Sequence, residues 1–218
     1  TSIGWGYPVD EALWALADVA DPRTSLLATA GVWALGLANL EWIVMEEAPA
    51  IEFAFEDLAA ELYSIGWEWV DVVVLDAADY GAPSRRRRAF MIARRTRPGL
   101  SVGIARRPTR SPSMAQALGW APGHQITTRG NRRPTGGNRF SADGPAWCLT
   151  GRSRSWERED GLRLTPAEAG FLSGFPLDYP WQGSRTAAFQ QAGDIVSPLV
   201  GAHVIGSALG IEAGPAVE

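Results

Sequence analysis

Apolar positions along the first ninety residues recur at two different spacings. Leu13, Trp14, Leu16 and Val19 fall at helical intervals within 9–20, and Leu26, Leu27, Val32, Trp33 and Leu37 do so after Asp21-Pro22. Asp21 suits an N-cap and Pro22 a first helical position, so a second helix is predicted to about Asn39. Trp42-Ile43-Val44-Met45 is instead a continuous apolar run, as expected of a buried parallel strand. Pro49 then opens a predicted helix through Phe53, Phe55, Leu58 and Leu62 that stops near Gly66. Residues 67–75, rich in Val and Trp, and Ala89-Phe90-Met91-Ile92-Ala93 predict two further strands. Helix, strand, helix, strand, strand is the order of an α/β sheet.

From Arg94 the periodicity dissolves. Residues 94–163 are rich in Gly, Pro, Ser and Arg, and only 113–118 looks helical. A flexible linker would share that composition. Trp120, Phe140, Trp147, Leu149 and Trp156 nevertheless supply apolar anchors at intervals, which predicts an irregular, mostly β/loop module. Thr165-Pro166 begins a helix through Ala169 and Leu172 to Gly174, and Pro198 begins a last one with Leu199, Val200, Val204, Ile205 and Leu209 on its apolar side. No internal repeat is visible.

Composition narrows the function classes. With 46% hydrophobic and 20% charged residues in 218, the chain is globular in character. No uncharged apolar stretch reaches the ~18 residues of a membrane span. Thr1-Ser2-Ile3-Gly4-Trp5 lacks the basic and apolar regions of a signal peptide, so a cytoplasmic protein is expected. A single cysteine, Cys148, excludes an intrachain disulfide and a multi-cysteine metal site, and Cys148 is expected to be a small buried residue. His124 and His203 lie too far apart in sequence to suggest zinc, so no metal is expected; His203 reads as structural, and His124 sits in a loop that could touch phosphate.

The net charge of -4 conceals a sharp asymmetry. All 20 basic residues are Arg. Residues 1–84 hold one Arg against 15 acids, 85–163 hold 18 Arg against four acids, and 164–218 hold one Arg against five acids. Genome composition explains Arg in place of Lys but not the clustering. A +14 segment within an acidic chain predicts contact with a polyanion.

Five segments, in order, resemble motifs of the DNA (cytosine-5)-methyltransferase family. They are Asp21-Pro22-Arg23-Thr24-Ser25-Leu26-Leu27, Trp42-Ile43-Val44-Met45-Glu46-Glu47-Ala48-Pro49, and Ala78-Asp79-Tyr80-Gly81-Ala82-Pro83-Ser84-Arg85-Arg86-Arg87-Arg88. The other two are Arg163-Leu164-Thr165-Pro166-Ala167-Glu168-Ala169 with Gly174-Phe175-Pro176, and Gln191-Ala192-Gly193-Asp194-Ile195-Val196-Ser197-Pro198. The resemblance implies a partial S-adenosylmethionine-dependent, Rossmann-like methyltransferase sheet with an inserted irregular β/loop target recognition domain. On that reading 1–97 is the carboxyl-terminal part of the catalytic domain, 98–162 the DNA-binding recognition domain, and 163–218 the return to the catalytic domain.

It also implies roles. Glu46, at the carboxyl end of a predicted strand, would contact ring nitrogen 3 and the exocyclic amine of a base rotated out of the stack. To donate a proton there at neutral pH its pKa would have to be raised; the plainer alternative is a carboxylate capping the next helix. Arg88 would contact the same base and Arg86 would support the phosphate or the site; two apart on an extended segment, they would share a face. Arg85 and Arg87 read as a solvated basic turn. Gly193, Asp194 and Val196 would line the pocket of the methyl donor, S-adenosylmethionine. Arg129, Arg132, Arg133, Arg139, Arg152, Arg154 and Arg163 would meet duplex DNA, through a planar fork suited to phosphate and base edges; for Arg163 a surface charge at the helix entry is an equal alternative.

The chain departs from the family as well. Glu47, Ser84 and Asp194 stand where the family has Asn, Gln and Asn, and the family's donor loop and Pro-Cys catalytic loop are absent from these 218 residues. Cys148, preceded by Ala146-Trp147, does not match the nucleophile. The chain alone is therefore expected not to methylate DNA. Three readings stay open: a carboxyl-terminal part served by an amino-terminal segment or subunit, an inactive DNA-binding module, or an unrelated scaffold. Retention of Glu46, Arg86, Arg88 and Gly193 favours the first.

Overall fold

The computed structural model describes residues 39–96, 110–128 and 138–211, with isolated positions between 29 and 37. The helices expected over 9–20 and from Asp21 lie outside the described residues, apart from helical backbone at Thr29, Gly31, Val32 and Gly36. The fold is mixed α/β. The described residues fall into two compact units, one with 39–74, 88–96 and 204–211, the other with 75–87, 110–128 and 138–203.

In the first unit a three-stranded sheet has the order β1-β3-β2, with β1 at Trp42–Glu47, β2 at Trp69–Asp76 and β3 at Arg87–Arg94. A 3-10 turn over Pro49–Ile51 leads into α1, Glu52–Ser64, whose chain reverses at Gly66 with φ 90°. Ala54, Phe55, Leu58 and Leu62 form the buried stripe of α1. Phe55, Leu58 and Leu62 pack with Ile43, Trp67, Ala89, Met91 and Ala93 in one core. The expectation of a parallel setting for 42–45 is corrected: β1 pairs antiparallel with β3, Trp42 opposite Arg94 through Glu47 opposite Ala89. The neighbour of β1 is β3, which lies between β1 and β2, so β1 makes no ladder with the strand that follows it in the chain. Only Ile43 of β1 is fully buried, so the apolar run covers one face rather than two.

The second unit holds small elements linked by specific bonds. Helix α2, Met114–Ala117, is capped reciprocally by Ser113 and Gln116. Strands β4 (Gln125–Thr127), β5 (Arg139–Ser141) and β6 (Glu157–Arg158) form an antiparallel sheet of order β5-β4-β6. Four of the five anchors read from the sequence join its core: Phe140, Leu149 and Trp156 are buried with Met114, Ile126, Leu164 and Leu172, and Trp120 packs against them; Trp147 corrects the expectation, being 40% exposed and stacked on Phe140. Helix α3, Pro166–Leu172, follows Thr165, and Gly174 ends its last turn at φ 96°.

Helix α4, Arg185–Gly193, is absent from the sequence reading. Its buried positions are Ala188, Phe189, Ala192 and Gly193, mostly too small to make an apolar stripe. The available signal was Ser184, whose hydroxyl accepts the Ala187 amide at 3.3 Å as an N-cap. Helix α5, Pro198–Leu209, completes the chain described. Arg185–Leu209 as a whole has the length and composition to cross a membrane, with 33% of the window buried in the protein. The interruption at 194–197 divides it into two helices, each shorter than the ~20 residues a span requires.

Thr165 and Glu168 close a capping box on α3: Thr165 N–H donates to Glu168 Oε2 at 2.7 Å, and Glu168 N–H donates to Thr165 Oγ1 at 3.1 Å. Thr165→Ala removes the acceptor for an otherwise unsatisfied amide. It is expected to lower stability by about 1 kcal/mol, seen in urea or thermal unfolding, whereas Thr165→Ser is expected to be near neutral.

Candidate active site and nucleic-acid interface

Strand β2 ends at Asp76, and the segment that follows is closed by that one carboxylate. Asp76 Oδ1 accepts the Ala78 amide at 3.2 Å and the Arg86 amide at 2.8 Å. The Ala77 amide donates back to the Arg86 carbonyl at 3.0 Å. Sequence reasoning did not single out Asp76; its position at a strand end before Ala77-Ala78 was the signal.

Closure of this loop places Arg86 inside the second unit, 4% exposed. A buried guanidinium demands acceptors, and its Nη1 donates to the Leu149 carbonyl at 3.2 Å and lies 3.8 Å from Cys148 Sγ. The same stretch is strapped by backbone bonds: Ala146 N–H to Pro83 O at 2.8 Å and Arg85 N–H to Ala146 O at 2.9 Å. Ser84 Oγ donates to the Leu172 carbonyl at 2.7 Å, fully buried. Arg86 thus holds the backbone at 148–149, while Arg85 and Arg87 are exposed.

The first unit holds the other two residues of interest. Glu46 lies opposite Phe90, which puts it diagonal to Arg88 on the same face of the β1–β3 ladder. Arg88 Nε is 2.9 Å from Glu46 Oε1, with the side chains 23% and 27% exposed. Glu47, one residue on, lies opposite Ala89 and alternates to the face of Ile43 and Met45, which packs with α1. Its Oε2 accepts the adjoining Ala48 amide at 2.7 Å. The strand register therefore distinguishes the two glutamates: Glu46 is paired with an arginine, and Glu47 turns back on its own chain. Arg86 and Arg88, expected on one face, instead divide between a buried strut in the second unit and an ion pair in the first.

Gly193, Asp194 and Val196 are contiguous at the end of α4. A Cβ on Gly193 would stand 2.6 Å from the Gly151 amide nitrogen and 2.6 Å from the Thr150 carbonyl carbon. The space beside this glycine is filled by protein backbone, so its small size serves close packing and it forms no open cradle for a donor. Asp194 is exposed and its Oδ2 accepts from Gln190 Nε2 at 2.6 Å; Val196 is half-buried.

The candidate DNA arginines fall into three groups. Arg129, Arg132 and Arg133 lie outside the described residues. Arg139 on β5 and Arg152 in the 3-10 turn Gly151–Ser155 are exposed, with no carboxylate partner among the described residues. Arg154 Nη1 donates to Gly151 O at 2.6 Å, and Arg163 Nε pairs with Glu157 Oε2 at 2.8 Å, so both also tie the module together. Further ion pairs lie nearby. Arg158 forks onto Asp160 and stacks over Trp120 at 4.7 Å, holding the Asp160 carboxyl far below the usual range. His124 Nδ1 meets Glu159 Oε1 at 2.7 Å, and Gln125 N–H donates to Glu159 Oε2 at 2.7 Å. His124 is thus engaged with a carboxylate rather than poised alone for phosphate. His203 rests against Tyr80, ring centroids 4.9 Å apart.

Cys148 corrects the expectation of a buried thiol: it is exposed. Leu149 takes the core position beside it, 2% exposed, with its carbonyl held by the buried Arg86 guanidinium. Among the described residues no three His, Cys, Asp or Glu side chains gather as a metal site would require.

No family model matches the chain. The type II methyltransferase M1.HphI of Haemophilus parahaemolyticus is 25% identical, over 66% of this chain and 48% of its own length. The chain thus spans about half of that relative. Among solved structures, the Entamoeba histolytica methyltransferase EhMeth is similar with TM-score 0.63 and 16% identity, over 91% of this chain and 72% of its own. The S. pombe Dnmt2 methyltransferase gives TM-score 0.61 and 16% identity, over 88% and 72%. A putative DNA modification methyltransferase of an E. coli prophage gives 0.59 and 17%, over 88% and 75%. The chain has the fold of these methyltransferases.

Two predictions follow from this geometry. Gly193→Ala drives a methyl group into the backbone of Thr150 and Gly151, which cannot rotate away. It is expected to cost about 1–3 kcal/mol and to lower the midpoint of thermal unfolding by several degrees. The second concerns pH. The bond from His124 holds the exposed Glu159 carboxyl below the ordinary carboxylate range. A depressed acid contributes stability that is present above its unfolded value and lost as pH falls through the folded one. In a carboxyl-carbon NMR titration Glu159 is expected to titrate below other exposed glutamates, and His124→Ala to raise its midpoint; an unchanged midpoint would remove His124 as the cause.

Proposed function

We propose that this chain is the base-pocket and DNA-recognition part of a DNA methyltransferase that transfers a methyl group from S-adenosylmethionine to carbon 5 of cytosine in duplex DNA. The observation that carries the reading is the Glu46–Arg88 pair, 2.9 Å apart and half-buried at the end of β1. Those two residues are the ones the motif resemblance assigns to the extruded base, and the register sets Glu46 apart from Glu47. The methyltransferase fold and the similarity to M1.HphI support the same direction.

Addition of a nucleophile to carbon 6 places electron density on the ring, and a protonated carboxyl at nitrogen 3 stabilises it as it develops. Glu46 is the group proposed for that task, with Arg88 orienting it and the base. S-adenosylmethionine supplies the methyl group; of the residues that resemblance assigns to it, Asp194 and Val196 fit a contact. The nucleophile and most of the donor pocket belong, on this reading, to an amino-terminal segment or partner subunit. Arg139 and Arg152 supply phosphate contacts together with the arginines of 129–133, and counterion release makes such binding salt-dependent.

The direct experiment supplies that amino-terminal part, adds methyl-labelled S-adenosylmethionine and duplex DNA, and identifies the labelled base after digestion. Label in 5-methylcytosine is expected; label in an exocyclic amine of cytosine or adenine overturns the reaction, and DNA binding without transfer supports an inactive module. In the active assembly Glu46→Gln is expected to cut turnover about a hundred- to ten-thousand-fold with DNA affinity kept, because the proton matters most in the transition state. Glu47→Gln is expected to do far less, and the reverse pattern would reject the register assigned to this motif.

The chain by itself is expected to bind duplex DNA with an affinity that falls steeply with salt, and Arg139→Ala with Arg152→Ala to make that slope shallower by about one unit each. Absence of salt-dependent binding in folded protein would remove the nucleic-acid reading.

A further inference from the structure

Most large aromatic side chains of the second unit are spent on its core, and Trp147 is not. It is 40% exposed, yet its ring rests on a buried neighbour. Its indole lies nearly flat on Phe140, centroids 4.7 Å apart and planes 19° apart. Phe140 is 8% exposed and is itself met edge-on by Trp156 at 5.1 Å, which is 6% exposed. The stack therefore runs from the core outward and ends on Trp147.

The backbone beneath it is fixed on both sides. Ala146 is bonded in both directions to the segment of Pro83 and Arg85, and Leu149 O receives the buried Arg86 guanidinium at 3.2 Å. An exposed aromatic ordinarily loses side-chain and backbone freedom when it binds; here that ordering is already accomplished. Its neighbourhood in sequence is strongly basic. Arg139 adjoins Phe140 and Arg85 bonds to Ala146, both exposed, and the acids of 85–156 are limited to Asp143. A neutral apolar peptide would find no use for that charge, whereas a nucleic acid pairs a phosphate with each stackable base.

We propose that Trp147, backed by Phe140, is a stacking platform for one unstacked nucleobase of the bound DNA. The inference rests on the DNA reading and adds the residue that receives a base in the second unit. Aromatic stacking contributes about 1–3 kcal/mol per base, which corresponds to roughly fivefold to 150-fold in affinity.

The test measures binding of the full chain, by fluorescence anisotropy across a salt series, to a fully paired duplex and to the same duplex carrying one unpaired nucleotide. Wild type is expected to prefer the second by a factor within that range. Trp147→Leu is expected to abolish the preference while leaving the affinity for the paired duplex and its salt slope in place. Trp147→Phe is expected to keep most of the preference, and Arg139→Ala to lower the salt slope without touching it. Thermal unfolding of each variant establishes that it is folded. If salt-dependent binding to paired DNA persists but wild type shows no preference, or Trp147→Leu retains it, the platform is rejected and the DNA reading stands. If neither duplex is bound, the DNA reading falls and the platform with it.

Discussion

The second unit depends on the strap between residues 83–86 and 146–149. Two backbone hydrogen bonds and a buried guanidinium hold these segments, which are about sixty residues apart in the chain, and the buried Ser84 hydroxyl ties the first of them to the Leu172 carbonyl. The strands of this unit are two or three residues long, too short for ladder bonds alone to organise them. Long-range bonds to Pro83, Arg85 and Arg86 take over that role and orient the aromatic core of Phe140, Leu149 and Trp156. Asp76 stands behind the strap, because its carboxylate fixes the Arg86 amide and so the direction in which that side chain enters the unit.

An arginine-rich turn is thereby split into different tasks by burial alone. Arg85 and Arg87 remain in solvent, Arg86 becomes a structural strut, and Arg88 pairs with Glu46. Identical side chains acquire separate roles because the chain bends around Asp76 before it enters β3. The same economy applies to the carboxylates, where a one-residue alternation separates Glu46 on the Arg88 face from Glu47 on the α1 face.

The candidate DNA surface is likewise a product of neutralisation. Arg158 is locked to Asp160 and Arg163 to Glu157, so the acids of 157–160 quench the arginines nearest to them. Arg139 and Arg152 keep their charge exposed, and Trp147 stands in the same unit on a fixed aromatic support. The +14 of the middle segment therefore overstates what any ligand meets.

By itself the sequence determined the mixed α/β class, the strands around Ile43, Val72 and Met91, the helices beginning near Ser113 and Thr165, and the charge asymmetry, because each is written in local periodicity or in composition. It also placed Glu46 and Arg88 as a pair of interest through motif order. It did not reveal α4, whose alanines and glycine leave no apolar stripe, nor the antiparallel setting of β1 against a strand that arrives later in the chain and lies between β1 and β2. Only the tertiary structure decided that Arg86 is buried, Cys148 exposed and Gly193 packed against Thr150–Gly151, since each outcome depends on a segment distant in sequence. Local pattern fixes which residues face together along one element; what stands opposite them is settled by packing between elements.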